Sequence, residues 1–391
     1  MSAEPSSLLA NYQYEIYLMG MAGQRPEHPM AWDEWERRAE AAMTPEACGY
    51  VQGGAGSGAT MRANREAFDH WRIVPRMLRD VGVRSVTRTV LGLDLPAPVL
   101  LGPVGVQSII DPEGELASAR AASALGVPFT ASTAASFTIE EIAEAAGDGA
   151  RLYQLYWPKD RELTKSFVAR AEKAGYSALV VTLDTSILAW RPRDLAGAYL
   201  PFLQSIGIAN YLSDPVFRAG LEKTPEEDPQ AAVGKFVGEF SNPSVSWKDL
   251  AWLREQTSLP IVLKGIQAPD DARRAVEEGV DGIIVSNHGG RQVDGAIGAI
   301  DALPGIVDAV NDRLEVLFDS GIRSGADAFK ALALGARAVL IARPFLWGLA
   351  VDGEAGVRTV VRSLLAELDL TLALSGHASI DDVGRGSLQA T

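Results

Sequence analysis

From about residue 98 the chain alternates short, continuously apolar runs with longer stretches in which apolar residues recur at helical spacing. The runs span residues 98–105, 128–133, 151–157, 178–184, 260–266, 282–289, 315–321 and 338–344. They are rich in Val, Leu and Ile and lack the alternation of a half-exposed sheet, so each predicts a parallel strand covered on both faces. Stretches 112–126, 138–147, 160–175, 269–279 and 325–335 predict helices, since each begins at a turn or capping residue and ends at Gly. Repetition of the strand–helix unit predicts an α/β chain folded as a closed TIM (β/α)8 barrel. A doubly wound open sheet is the alternative, but it requires a glycine-rich fingerprint after its first strand, and none stands there.

Two regions fall outside the repeat. Residues 1–84 read as an N-terminal helical cap on a barrel formed by 85–391, with a helix expected at 32–42. The glycine run 53–58 follows no convincing strand and reads as a turn rather than a phosphate loop. Residues 185–245, after the fourth strand, far exceed an ordinary βα connection. A segment of that length at the catalytic face predicts a lid or an oligomer contact, with the apolar, aromatic residues 199–203 expected on the inner surface of the lid.

Composition narrows the partners. With 391 residues, 47% hydrophobic and 22% charged, the chain can bury a large core. A net charge of −14 argues against nucleic acid or an anionic membrane as the main partner, because both demand clustered positive charge. The single cysteine, Cys48, excludes an intrachain disulfide and a thiolate metal cluster. No signal pattern opens the chain and no apolar run suits a membrane span, so a cytoplasmic protein is the expectation.

In a TIM barrel the reactive groups project from the C-terminal ends of the strands. Here those ends carry Gln154 and Tyr156, Thr182 and Asp184 with Arg191 beyond, and Lys264. The later strands add Ser286 through Gln292, then Asp319, Gly321 and Arg323, and finally Ala342 and Arg343. A lone histidine is ordinarily structural, and Asp319 with Arg323 could be a simple loop ion pair. Six polar strand ends in succession are another matter, because burying such charges unpaired costs several kcal/mol each. Of the four histidines only His288 lies at a strand end, between glycines and beside an Arg, which marks it as the candidate base. Arg323 and Arg343 stand after strands seven and eight, where such barrels commonly hold phosphate.

The segment Ser286-Asn287-His288-Gly289-Gly290-Arg291-Gln292 resembles the signature of the FMN-dependent 2-hydroxy-acid oxidase and dehydrogenase family, and the resemblance covers nearly the whole chain. Within the family it is strongest toward the lactate 2-monooxygenase subgroup. Asn11 to Tyr17, Trp190-Arg191-Pro192-Arg193-Asp194 and Asn210 to Phe217 carry that part of the likeness.

Position by position, the resemblance implies FMN held by Val104, Gly105, Ser132, Gln154, Thr182, Lys264 and Ser286 at the ring and ribityl chain. Asp319, Gly321, Arg323, Ala342 and Arg343 would hold the ribityl hydroxyls and phosphate. It implies a small 2-hydroxy acid bound by Tyr50, Tyr156, Arg191 and Arg291, with His288 as base paired to Asp184. It further implies O2 as acceptor, a homo-oligomer (tetramer or octamer), and L-lactate oxidised to acetate and CO2.

Two departures stand out: Ala342, where the family usually has Gly, and segment 106–110, after the strand along the flavin, which differs from that of a typical lactate 2-monooxygenase. Alternatives within the family are an oxidase that releases keto acid and hydrogen peroxide, and a dehydrogenase using another acceptor. Outside it, the alternatives are a flavin-free, phosphate-binding barrel isomerase and a non-catalytic scaffold.

Overall fold

A computed structural model describes residues 9–391. Eight short strands form a closed parallel barrel: β1 (Val99–Leu101), β2 (Phe129–Ser132), β3 (Arg151–Leu155), β4 (Leu179–Thr182), β5 (Ile261–Ile266), β6 (Gly282–Val285), β7 (Glu315–Phe318) and β8 (Ala338–Ile341). β8 closes onto β1 through the register Val339 to Val99, Leu340 to Leu100 and Ile341 to Leu101. The five helices expected from periodicity are present as Gly114–Ala124, Ile139–Ala146, Arg161–Lys173, Pro269–Glu277 and Gly325–Ala333. Thr138, with Glu141 reaching back, closes a capping box on the second, and Asp160 caps the third.

The strands bury both faces, and the two faces pack into separate cores. Side chains such as Val99, Leu101, Leu179, Val181, Val285 and Phe318 join the large core beneath the helices. Their alternates Leu100, Leu152, Val180, Val262, Ile284, Leu317 and Leu340 fill the barrel interior. The lower end is stoppered by a hairpin, Arg88–Val90 paired antiparallel with Leu93–Leu95, whose Val90 and Leu95 enter that inner core. Glu315 on β7 fastens the hairpin by accepting a 2.9 Å bond from the Leu91 amide.

The N-terminal segment is helical, at Asn11–Met21, Trp32–Ala42, Pro45–Gln52 and Ala59–Glu66. It packs onto the C-terminal helix Arg343–Leu374, which kinks at Asp352 and Gly353. Residues 53–58 form the turn expected of them, held by Asp294, which accepts bonds from the amides of Ser57 (2.6 Å) and Ala59 (2.7 Å).

The insertion after β4 is folded rather than a loop, with helices at Pro192–Ala196, Ala209–Leu212, Pro215–Ala219 and Pro229–Phe240. Two fully buried polar residues anchor it. Asn210 accepts from the Ile139 amide (2.8 Å) and donates to the Thr133 carbonyl (3.1 Å). Asp214 takes Ser166 Oγ (2.7 Å) and Arg170 Nη1 (3.1 Å) from the third barrel helix. Tyr211, Phe217 and Phe236 pack edge to face between these anchors.

Candidate active site

Two residues beyond the apolar layer, five of the inward columns turn polar. Leu152 is followed by Gln154, Val180 by Thr182, Val262 by Lys264, Ile284 by Ser286 and Leu317 by Asp319. Period-two geometry therefore puts all five of these polar side chains at the upper rim of the barrel interior. They bond to one another: Ser132 Oγ donates to Gln154 Oε1 (2.9 Å), and Gln154 Nε2 donates to Thr182 Oγ1 (3.0 Å). Lys264 is 4% exposed; its Nζ donates to Ser286 Oγ (2.9 Å) and lies 3.1 Å from Asp319 Oδ2. Burial opposes its charge, but Asp319 and Asp184 outweigh that and raise its pKa, so it is a fixed cation.

Above this rim opens a cleft. Lys264, Asp319, Ser132, Val104, Gly105, Gly321 and Ala342 line it, together with Tyr50, Tyr156, Arg191, His288, Arg291, Arg323 and Arg343. Gln154, Thr182, Ser286 and Asp184 stand behind that lining. The residues expected to serve the cofactor, the substrate and the proton transfer thus converge on one place. Ala342 adopts φ −129°, so its methyl needs no left-handed backbone.

His288 and Asp184 form the core of the site. His288 sits in the left-handed region (φ 57°), an uncommon conformation for a non-glycine residue and one that clusters at functional sites. Its Nδ1 lies 2.7 Å from Asp184 Oδ1. Thr185 Oγ1 donates to the same oxygen (2.9 Å) and lies 3.2 Å from His288 Nδ1. Burial disfavours the Asp184 charge, yet His288, Lys264 and these hydrogen bonds together hold its pKa at about 2. Burial lowers the His288 pKa, with Asp184 working against it. The result is a neutral imidazole whose Nδ1 faces an ionised carboxylate, leaving Nε2 as the nitrogen free to take a proton. A β-bulge interrupts β5 between Lys264 and Ile266, and Gly265 within it has φ +112°. A Cβ there would lie 2.9 Å from Asp184 Cβ, so the dyad requires this glycine.

Four arginines complete the site. Arg191 Nε donates to the Arg291 carbonyl (3.1 Å), and its Nη2 donates to Gln292 Oε1 (2.6 Å). Arg291 donates to the carbonyls of Tyr50 and Gly53, its Cζ 4.9 Å from the Tyr50 ring centroid. Arg343 donates to the carbonyls of Val51 (3.0 Å), Gly289 (3.1 Å) and Gly53 (3.0 Å). Arg323 Cζ stacks 5.0 Å from the Trp347 ring. Among the described residues none of the four has a carboxylate within ion-pair distance. Burial, and then Arg191, brings the Arg291 pKa down to about 10; burial, and then Arg65, does the same for Arg323. Burial, and then the neighbouring Arg323 and Arg291, hold that of Arg343 well below the ordinary arginine value. Arg191 and Arg343 are buried and Arg291 and Arg323 half-buried; guanidinium groups so placed without counter-charge are costly, and this arrangement calls for two anions: one beside His288, one beyond β7 and β8.

Sequence reasoning missed several neighbours. Thr185 and Ser320 escape because each follows a more conspicuous acid; Ser320 Oγ donates to Asp319 Oδ1 (2.7 Å) and accepts from the amides of Asn287 (3.2 Å) and Gly289 (3.0 Å). Phe202 and Phe240 of the insertion also line the cleft, Phe240 packing edge to face on Tyr156 at 5.1 Å. Phe202 belongs to segment 199–203, expected on the inner surface of the lid, whereas nothing in the sequence marks Phe240.

The family described as FMN-dependent dehydrogenase matches residues 39–390. The chain is 48% identical to an FMN-dependent alpha-hydroxy acid dehydrogenase of Schizosaccharomyces pombe, over 95% of this chain and 93% of the relative. It is 42% identical to an L-lactate oxidase of Lysinibacillus sphaericus, over 94% of each. Among solved structures, a mandelate oxidase superposes with a TM-score of 0.82 at 38% identity, covering 93% of this chain and 99% of that one. The chain belongs to the FMN-dependent alpha-hydroxy acid oxidoreductases, and its cofactor is FMN.

Proposed function

We propose that the cleft oxidises a small L-2-hydroxy acid, L-lactate being the first to test, with O2 as the final acceptor. The observation that carries this reading is the pairing of a neutral His288 with two counter-charge-free arginines in one cleft. Arg191 and Arg291 would clamp the substrate carboxylate, a planar anion that suits guanidinium forks better than ammonium groups. Burial raises the pKa values of Tyr50 and Tyr156, so both phenols stay protonated and can donate hydrogen bonds to substrate oxygens. His288 Nε2 would take a proton from the substrate, and Asp184 would stabilise the resulting imidazolium.

The donor set also fits FMN. Arg343, buried, and Arg323, half-buried, are cations without counter-charge where a phosphate is expected, and Lys264 is a fixed positive charge at the barrel rim. When bound, FMN supplies the two-electron acceptor that no side chain here can provide.

The insertion supports a finer reading, in which the keto acid is retained and oxidatively decarboxylated as in a lactate 2-monooxygenase. Phe202 and Phe240 bring an apolar wall from the insertion into the cleft, as a product-holding lid requires. Leu203, expected on the same inner surface, is 58% exposed and lies outside it. Product analysis after aerobic turnover of L-lactate separates the possibilities. Acetate and CO2 support retention. Stoichiometric hydrogen peroxide with pyruvate would sink the monooxygenase reading while leaving the oxidase standing. No turnover of any L-2-hydroxy acid with O2 would sink both.

A further inference from the structure

The segment after β1 is held by side chains the chemistry above does not use. Val106, a β-branched residue, is buried at φ 60°, a backbone conformation it adopts only when its surroundings impose it. Gln107 and Glu115, both 0% exposed, supply that constraint. Gln107 Nε2 donates to the Val104 carbonyl (2.9 Å), and Ser118 Oγ donates to Gln107 Oε1 (2.7 Å). Glu115 Oε1 accepts from two amides on different loops: Gln107 (3.0 Å) after β1 and Ser136 (3.0 Å) after β2.

Those loops carry Val104 and Gly105, and Ala134, into the cleft. They also touch directly, for the Val106 amide donates to the Ala134 carbonyl at 3.0 Å, and a Cβ on Gly105 would lie 2.3 Å from that oxygen. Glu115 has no ion-pair partner among the described residues, and its Oε2 bonds to nothing. Burial pushes its carboxyl up to about 7 despite the two amides. A fold that keeps so costly a group uses it to join these two loops.

We infer that Glu115 and Gln107 are positioning residues, a buried strut that sets the Val104–Gly105 backbone against the flavin ring. The inference rests on the reading that this backbone faces FMN. The test uses the FMN-loaded protein and reads FMN dissociation, the visible circular dichroism of the flavin and sulfite affinity, none of which requires turnover. Glu115→Ala, which removes the one oxygen that accepts from both amides, should weaken FMN binding about tenfold or more and alter the visible dichroism. Glu115→Gln keeps an acceptor oxygen and should restore both. Gln107→Met, similar in volume, should perturb the flavin signals as Glu115→Ala does, and it decides the matter if Glu115→Ala does not fold. Native flavin signals in both Glu115→Ala and Gln107→Met would overturn the strut. Gly105→Ala tests the underlying reading, because its methyl must displace the Ala134 carbonyl. Unchanged flavin signals there would overturn that reading and the strut together, whereas a change there with silence at Glu115 and Gln107 would overturn the strut alone.

Discussion

The lower and upper ends of the barrel are built from the same strands, two residues apart, to opposite ends. At the bottom, Leu100, Leu152, Val262, Ile284 and Leu317 close a dry core under Val90 and Leu95 of the hairpin. At the top, Gln154, Lys264, Ser286 and Asp319 continue the same columns as a bonded polar rim, with His288 and the arginines above. The lower layers gain from burial on the order of ~25 cal/mol per Å² of apolar surface. The upper layer spends stability, holding buried cations with no counter-charge. The difference teaches that the lower end serves as a foundation, stiff enough to hold costly groups in place above it.

That division can be attacked from the top first. His288→Gln should slow reduction of the flavin by substrate about 10²–10⁴-fold while FMN stays bound, because the base is lost and the anion site beyond β7 and β8 is untouched. Stopped-flow absorbance measures the first and ultrafiltration the second; a parental reduction rate would remove His288 from the role. Arg291→Lys preserves charge but loses the fork, and should cost about ten- to a hundredfold in kcat/KM for a 2-hydroxy acid. Steady-state kinetics showing less than a twofold loss would mean that Arg291 does not hold the carboxylate.

At the bottom, Leu152→Ala should destabilise the fold by about 2–4 kcal/mol, seen in denaturant unfolding, while flavin reduction changes little. A large loss of activity in a protein that still folds would show that the two ends are not separable. The smallest effect concerns pH. Burial lowers the His288 pKa, so the neutral base is present above that value and disappears as pH falls through it. The acid limb of flavin reduction should therefore fall below the ordinary histidine value of about 6.5. Asp184, held at about 2, stays ionised throughout. A limb centred above the ordinary value would contradict this environment.

The contrast between the ends also explains what the sequence made legible. Apolar runs ending in Lys, His, Arg and Asp reveal both the strands and their active ends, because a polar strand end in a buried sheet needs a reason. The insertion was legible as an outlier in length, and its Asn210–Phe217 segment as a likeness, but not as a set of packed helices held by Asn210 and Asp214. Nor was Phe240 placed beside Tyr156, since contacts between distant segments leave no periodic trace. Glu115 was hidden for a related reason: in the sequence it reads as an ordinary acid in the first turn of a helix, and only the return of two loops onto it makes it a buried anchor.

The central claim is that this cleft recognises a carboxylate beside a hydroxyl and removes the electrons of that pair. Anaerobic mixing of the FMN-loaded protein with L-lactate, alongside 1,2-propanediol, tests it most directly. The account predicts loss of the flavin's visible absorbance with the hydroxy acid and none with the diol. Equal bleaching by both, or no bleaching by L-lactate or any other L-2-hydroxy acid, would contradict it.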